Sequence, residues 1–313
     1  MFSKRSLPSY KAGFRRKQVF QNVLLVTIAL IFISLLPVIY LRLRERGGNE
    51  RRELQVLFES GAFESAFAQS RDMLKERPLD FFLLTINGFS AYQLAIAQIN
   101  TFDTLSYIND GIWSLRRAML LREGAADGRI FYVLGKAYYH KGPAHADLAV
   151  RYLGKAMSAG FMAADIPEYL GLAYAALRDF RSSVNAFALA LTGEGRGPSD
   201  VLFLSIARSY LGLNELQSAK AYLIRCLEIT RDSRIRTAAR LLLGDILYQA
   251  GDIAGAETEF LTIIDENGEN AEARYQLGVL YASMGDMTRA RAEWRRALRI
   301  DAAHGPARSR LAL

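Results

Sequence analysis

The sequence predicts an all-α protein, a stack of helical hairpins that follows a single transmembrane helix. Two observations carry this expectation. The first is a pattern of small and large residues near the carboxy terminus: Leu277-Gly278-x-x-Tyr281, a Gly285-Asp286 turn, then Ala290-x-x-x-Trp294-x-x-Ala297. Spacings of three and four residues share one helical face, and Gly278 and Ala290 are small enough to let two helices cross closely while Leu277, Tyr281 and Trp294 fill the wedge around them. The second is residues 19–41, 23 positions without a charge.

The chain opens with a basic tail, residues 1–18, that holds six Lys/Arg and no acid (Lys4, Arg5, Lys11, Arg15, Arg16, Lys17). As a helix, residues 19–41 would be about 34 Å long, enough to cross the hydrocarbon core with slight tilt. Sixteen of these residues are Leu, Ile, Val or Phe, which favours insertion by about 5 to 10 kcal/mol on insertion scales. A cleaved signal peptide would have a shorter apolar run and a small-x-small site, whereas this run ends in Tyr40-Leu41-Arg42-Leu43-Arg44, so an uncleaved anchor is expected. Arginines on the far side leave the positive-inside rule little to work with. An acid-free tail is costly to translocate and a long downstream domain crosses regardless of its charge. The amino terminus is therefore expected in the cytoplasm and, for a bacterial cytoplasmic membrane, the single-pass chain carries its repeats in the periplasm. Residues 42–49 end in Gly47-Gly48-Asn49 and read as a short juxtamembrane linker.

The hairpin pattern recurs upstream. Leu243-Gly244-x-x-Leu247, a Gly251-Asp252 turn and Ala256-x-x-x-Phe260-x-x-Ile263 repeat the register; Ile206-Ala207-x-x-Tyr210 with Ala219, Leu223 and Cys226, and Leu170-Gly171-x-x-Tyr174 with Ser183, Phe187 and Ala190, precede it. A further copy opens at Leu134-Gly135-x-x-Tyr138, has a lengthened turn at 142–147, and resumes with Ala149, Leu153 and Ala156. Five consecutive copies over residues 128–304 are the signature of a solenoid. Residues 50–127 are expected to be divergent repeats: a first helix ending at Glu59, a second after Gly61 that ends near Pro78, and an expanded hairpin in which Gly88 and Ala118 are the candidate small contacts. Residues 305–313 are expected to cap the last apolar face.

These residues resemble the tetratricopeptide repeat (TPR), a helical hairpin of about 34 residues. The resemblance is specific over a little more than half of the chain. It implies a right-handed superhelical solenoid whose first helices line a concave groove, and a function in binding another protein. The groove-facing positions it implies are Tyr132, Lys136 and Tyr139, then Glu168 and Leu172, Leu204 and Arg208, Leu241, Asp245 and Tyr248, and Tyr275 and Val279. TPR domains that hold a chaperone's terminal carboxylate use a Lys-x-x-x-Asn pair, where this chain has Tyr132-x-x-x-Lys136 and Glu168-x-x-x-Leu172. An extended or helical apolar segment of a partner, or a subunit of a membrane complex, suits this groove better. The alternative is that some of these tyrosines pack between neighbouring repeats.

Composition excludes other classes. The pI near 9.6 suggests nucleic acid until the charges are located. The formal charge is +8, of which residues 1–18 hold +6 and residues 42–52 hold +3, so the rest is close to neutral. The basic excess flanks the span, where it serves topology and lipid headgroups, and no nucleic-acid partner is expected. One cysteine precludes a disulfide within the chain, and Cys226 reads as a small core residue. His140, His145 and His304 lack metal-ligand spacing; His140 and His145 are expected to be solvated. The Thr192-Gly193-Glu194-Gly195-Arg196-Gly197-Pro198-Ser199 stretch follows a helix and reads as a linker, with Ser199 or Asp200 capping the next helix. With no nucleophile elbow, P-loop or HExxH, neither enzymatic activity nor a cofactor is expected. The function expected is a membrane-anchored scaffold in the assembly or maintenance of an envelope machine such as a secretion or flagellar apparatus. The alternatives are a cytoplasm-facing membrane adaptor and a regulatory subunit of a membrane enzyme.

Overall fold

The computed structural model describes residues 48–121, 127–193 and 199–312. The expected tail and membrane span, residues 1–18 and 19–41, lie outside the described residues; among those, no helix is long and apolar enough to cross a membrane. The described residues are all helix and turn. A helix α1 that includes residues 48–59 pairs with α2 (Phe63–Glu76), and the expanded hairpin is α3 (Phe81–Ala97) with α4 (Thr101–Leu121). The hairpins that follow are α5 (Gly128–Lys141) with α6 (Ala146–Ser158), α7 (Ile166–Ala176) with α8 (Phe180–Thr192), and α9 (Asp200–Gly212) with α10 (Leu216–Ile229). Then come α11 (Ser233–Gln249) with α12 (Ile253–Glu266) and α13 (Ala271–Ser283) with α14 (Met287–Ile300), and α15 (Gly305–Ala312) closes the stack. Each helix packs on its sequence neighbours, so the core runs along the stack.

The spacing of small and large residues sets each hairpin. A Cβ at Gly278 would lie 2.5 Å from Trp294 Nε1 and 3.0 Å from the Ala290 carbonyl oxygen, so the glycine seats the indole as well as the Ala290 backbone. Gly244 seats the Phe260 ring and Gly171 the Phe187 ring in the same way, each 16 residues before its partner. The expanded hairpin keeps the logic with different residues. Gly88 lies against Leu115 and the Gly111 carbonyl, and Ala118, though buried, is not its partner. Both helices there are longer, 17 and 21 residues, so the crossing point moves toward their middles. Its centre is polar: Asn87 donates to the Phe67 carbonyl and to Ser70 Oγ, and Ser114 Oγ donates to Asn87 Oδ1 at 2.8 Å. All three side chains are buried and bonded, as buried polar groups must be.

Helix starts follow the expected chemistry. Ser199 Oγ accepts from the Leu202 amide and caps α9, while Asp252, Asn270 and Asp286 cap α12, α13 and α14. Asp165 stands at the same place before α7 but makes no cap bond, because its carboxylate is turned elsewhere. His304 is buried, not solvent-facing: its Nδ1 accepts from the Ala307 amide at the start of α15, so Nε2 carries the proton given to Glu272 at 3.1 Å. Cys226 is fully buried, its Sγ donating to the Asp200 carbonyl, and burial pushes its thiol up to about 11. That is an inert core cysteine.

Candidate functional site

The first helices α5, α7, α9, α11 and α13 carry the positions expected to face the groove, and the structure sorts these into two groups. Around α5, the side chains bind one another. Lys136 Nζ donates to Asp165 Oδ2 at 2.8 Å and to Tyr132 Oη at 2.9 Å, while Tyr132 Oη donates to the same carboxylate at 2.8 Å. The ammonium also lies 4.8 Å from the Tyr132 ring centroid, 4.6 Å from that of Tyr169 and 5.7 Å from that of Tyr92. Lys136 and Asp165 side chains are each 13% exposed. Burial alone would raise the Asp165 carboxyl, but the bonds from Lys136 and Tyr132 outweigh it and hold the group below the ordinary carboxylate value. Tyr139 packs edge-on against Tyr169, and His140 reaches the Tyr169 hydroxyl at 3.3 Å. His140 is thus half-buried instead of solvated, and desolvation depresses its basicity. His145 likewise lies against the Tyr138 ring. This knot ties α3, α5 and α7 together, so Tyr132 and Lys136 are engaged before any partner arrives.

The sequence reading missed Asp165, Tyr169 and Tyr92. The signal for Asp165 was its separation of 33 residues from Tyr132, close to one repeat, which brings the start of one first helix beside the first helix of the preceding hairpin. Leu204 also departs from expectation. It is 6% exposed and belongs to the core, which Leu241, the corresponding residue of the next hairpin, and Leu172 also join from the side. A leucine drawn under its neighbours cannot act as a groove contact.

The remaining positions stay accessible. Leu172, Leu241, Tyr248, Tyr275 and Val279 are half-buried and Arg208 is exposed. A cavity of about 320 Å³ opens beside Tyr139, His140, Leu172 and Ala176. On α11, Leu241, Asp245 and Tyr248 fall at i, i+4 and i+7 on one face. Asp245 is half-buried and has no hydrogen-bond or ion-pair partner among the described residues. Burial, with Glu272 nearby, pushes its carboxyl up to about 6. Glu272 accepts from Gln276 and His304. Among the described residues no cation offsets the Asp245 carboxylate. Among the described residues no group of three or more His, Cys, Asp or Glu could hold a metal ion.

Comparison with known proteins agrees with this architecture. Residues 204–264 and 241–305 match the family model of the tetratricopeptide repeat. Over the described residues the fold is an all-helical solenoid of TPR type. YrrB, described as a TPR protein with an unusual peptide-binding site, is 21% identical, with a TM-score of 0.50 over 64% of this chain and 98% of that one. The C-terminal part of a TPR repeat-containing protein from Cytophaga hutchinsonii is 14% identical, with a TM-score of 0.60 over 84% and 100%. PilF of Pseudomonas aeruginosa is 15% identical, with a TM-score of 0.54 over 72% and 96%. At such identities the likeness is one of fold. No curated protein matches the sequence.

Proposed function

We propose that the chain is a membrane-anchored TPR scaffold whose groove holds an extended partner segment that combines aliphatic residues with a Lys or Arg. The observation that carries this reading is Asp245, an unpaired half-buried carboxyl on the same helical face as Leu241 and Tyr248. A cation from the partner would restore the charged state that burial penalises, and the neighbouring leucines and tyrosines would take the apolar side chains. The fold shared with YrrB, whose description gives it a peptide-binding site, agrees with a peptide ligand. The anchor is residues 19–41, with the amino terminus in the cytoplasm and the solenoid in the periplasm of a bacterial cell. The machine it serves is one of envelope assembly or maintenance.

Topology is tested with one thiol. In a Cys226→Ala, Ser283→Cys chain, with Ser283 exposed at the end of α13, a membrane-impermeant reagent is expected to label cells whose outer barrier alone is opened. Labelling only after the cytoplasmic membrane is lysed would put the solenoid in the cytoplasm.

An unpaired carboxyl also has a cost in the free protein. Its titration point rises from 3.8 to about 6 on folding, so between those values the native state binds more protons than the unfolded chain and stability falls as pH rises. Asp245→Asn removes this penalty. At pH 7.5 its melting temperature is expected to exceed the parent's by about 2 °C or more, and the difference should vanish toward pH 4. A gain that persists undiminished at pH 4, or a loss at pH 7.5, would mean that Asp245 has a stabilising partner.

A further inference from the structure

Among the described residues, α4 exposes more large apolar side chains than any other second helix. On α6 the outward positions are Asp147, Arg151, Lys155 and Ser158, and on α14 they are Thr288, Arg291, Arg295 and Arg299, the polar faces a solvated helix requires. On α4 the outward positions instead present Phe102, 78% exposed, Leu105, Trp113, 55% exposed, and Leu120, 68% exposed. The stripe continues into the α3–α4 turn, where Ile99 is fully exposed. Single exposed apolar residues are ordinary, but four large ones on one face of one helix, with only Ser106, Asn109 and Arg116 between them, mark an interface.

The charges on α4 indicate what covers the row. Its acids, Asp103 and Asp110, lie in the first half, and its bases, Arg116 and Arg117, lie toward the end. No Lys or Arg occurs between residues 101 and 115, so that half of α4 offers an anionic lipid surface two acids and no cation, and the cations beside it on α2 are engaged, Lys75 by Asp72 and Arg71 over the Phe67 ring. A helix with acid in one half and base in the other complements an antiparallel copy of itself. If Phe102 of one copy lies on Trp113 of another, Asp103 falls within one turn of the other copy's Arg116, and the two-fold axis repeats both contacts. The two helix dipoles are then antiparallel as well. Trp113 also forms one wall of an open cavity of about 490 Å³ with Phe67, Arg71 and Leu74, which leaves room beside the indole for an incoming aromatic ring. Arg117 lies over one face of that indole, 4.3 Å from its centroid.

We infer that the chain self-associates through antiparallel α4–α4 packing across its convex side, independently of whatever the groove holds. A helix of 21 residues offers a face about 31 Å long, which is small for a permanent dimer. The association is therefore reversible and depends on concentration.

The full chain in membranes or detergent micelles serves for the test, in a Cys226→Ala background. In this packing Asn109, exposed at the middle of the stripe, comes near its counterpart across the two-fold axis. Asn109→Cys is expected to give a crosslinked dimer with a short bismaleimide, Arg151→Cys on the outer face of α6 is not, and adding Phe102→Glu should reduce the crosslink tenfold or more. Phe102 is solvent-exposed, so this change should leave the melting curve in place. Sedimentation of the parent should show a concentration-dependent dimer that Phe102→Glu removes. Any of three results would overturn the inference: equal crosslinking at the two positions, crosslinking that survives Phe102→Glu, or adducts of the Asn109→Cys chain with other proteins and none with itself.

Discussion

Lys136→Met is expected to be among the most damaging single changes in the solenoid, although the residue holds a position that the resemblance implies for the groove. It would leave the Asp165 carboxylate, 13% exposed, with only the Tyr132 hydroxyl of its two side-chain donors. Removing one partner of a largely buried ion pair costs about 3 kcal/mol, because the remaining charge loses its compensation while staying desolvated. The expected result is a fall of roughly 6 °C or more in the first melting transition. A second change, Asp165→Leu, removes the stranded charge, and the double variant should recover most of the loss. Recovery would show that the pair ties α5 to α7, while an additive double loss would mean that each residue has other work. For the same reason, truncating Tyr132 would lower stability and binding together and could not report on the groove alone.

Ala290→Glu is expected to act as strongly by a different route. Ala290 is fully buried, and its backbone carbonyl meets Gly278 at the crossing of α13 and α14. A glutamate there overfills the crossing and brings in an unpaired carboxylate, at a cost of about 3 kcal/mol or more. Because a solenoid's stability is distributed among neighbouring repeats, the carboxy-terminal hairpins should melt first and produce an early step in circular dichroism. An unchanged melt would contradict the assignment of Gly278 and Ala290 to one contact.

What could be read before the structure, and what could not, divides along physical lines. The repeats were legible because a glycine and a large residue 16 positions later recur in fixed register, as with Gly278 and Trp294. The expanded hairpin hid its contact because Gly88 pairs with Leu115, 27 positions on, and a second glycine, Gly111, supplies the close approach. The shared face of Tyr132, Lys136 and Tyr139 followed from helical spacing, but not its engagement. An aspartate just before Ile166-Pro167 reads locally as a cap, and only the stacking of hairpins turns Asp165 toward Lys136. The same stacking draws Leu204 into the core and leaves Asp245, four residues beyond Leu241, without a partner. Local pattern fixes which residues share a face, and packing between repeats fixes which of them remain available.

The most direct measurement of the proposed function is a selection of displayed random peptides on the full chain held in lipid nanodiscs. Parallel selections would use the Asp245→Asn variant and, as a charge change on the outer face of α6, Arg151→Gln. The account predicts that the parent and Arg151→Gln enrich the same peptides, in which a Lys or Arg stands among aliphatic residues, and that Asp245→Asn loses them. Binding of a selected peptide should weaken tenfold or more in Asp245→Asn, and should also weaken in the parent as pH falls through about 6, where the carboxyl takes up its proton. Peptides retained equally by Asp245→Asn, or an enrichment in acidic sequences, would contradict it.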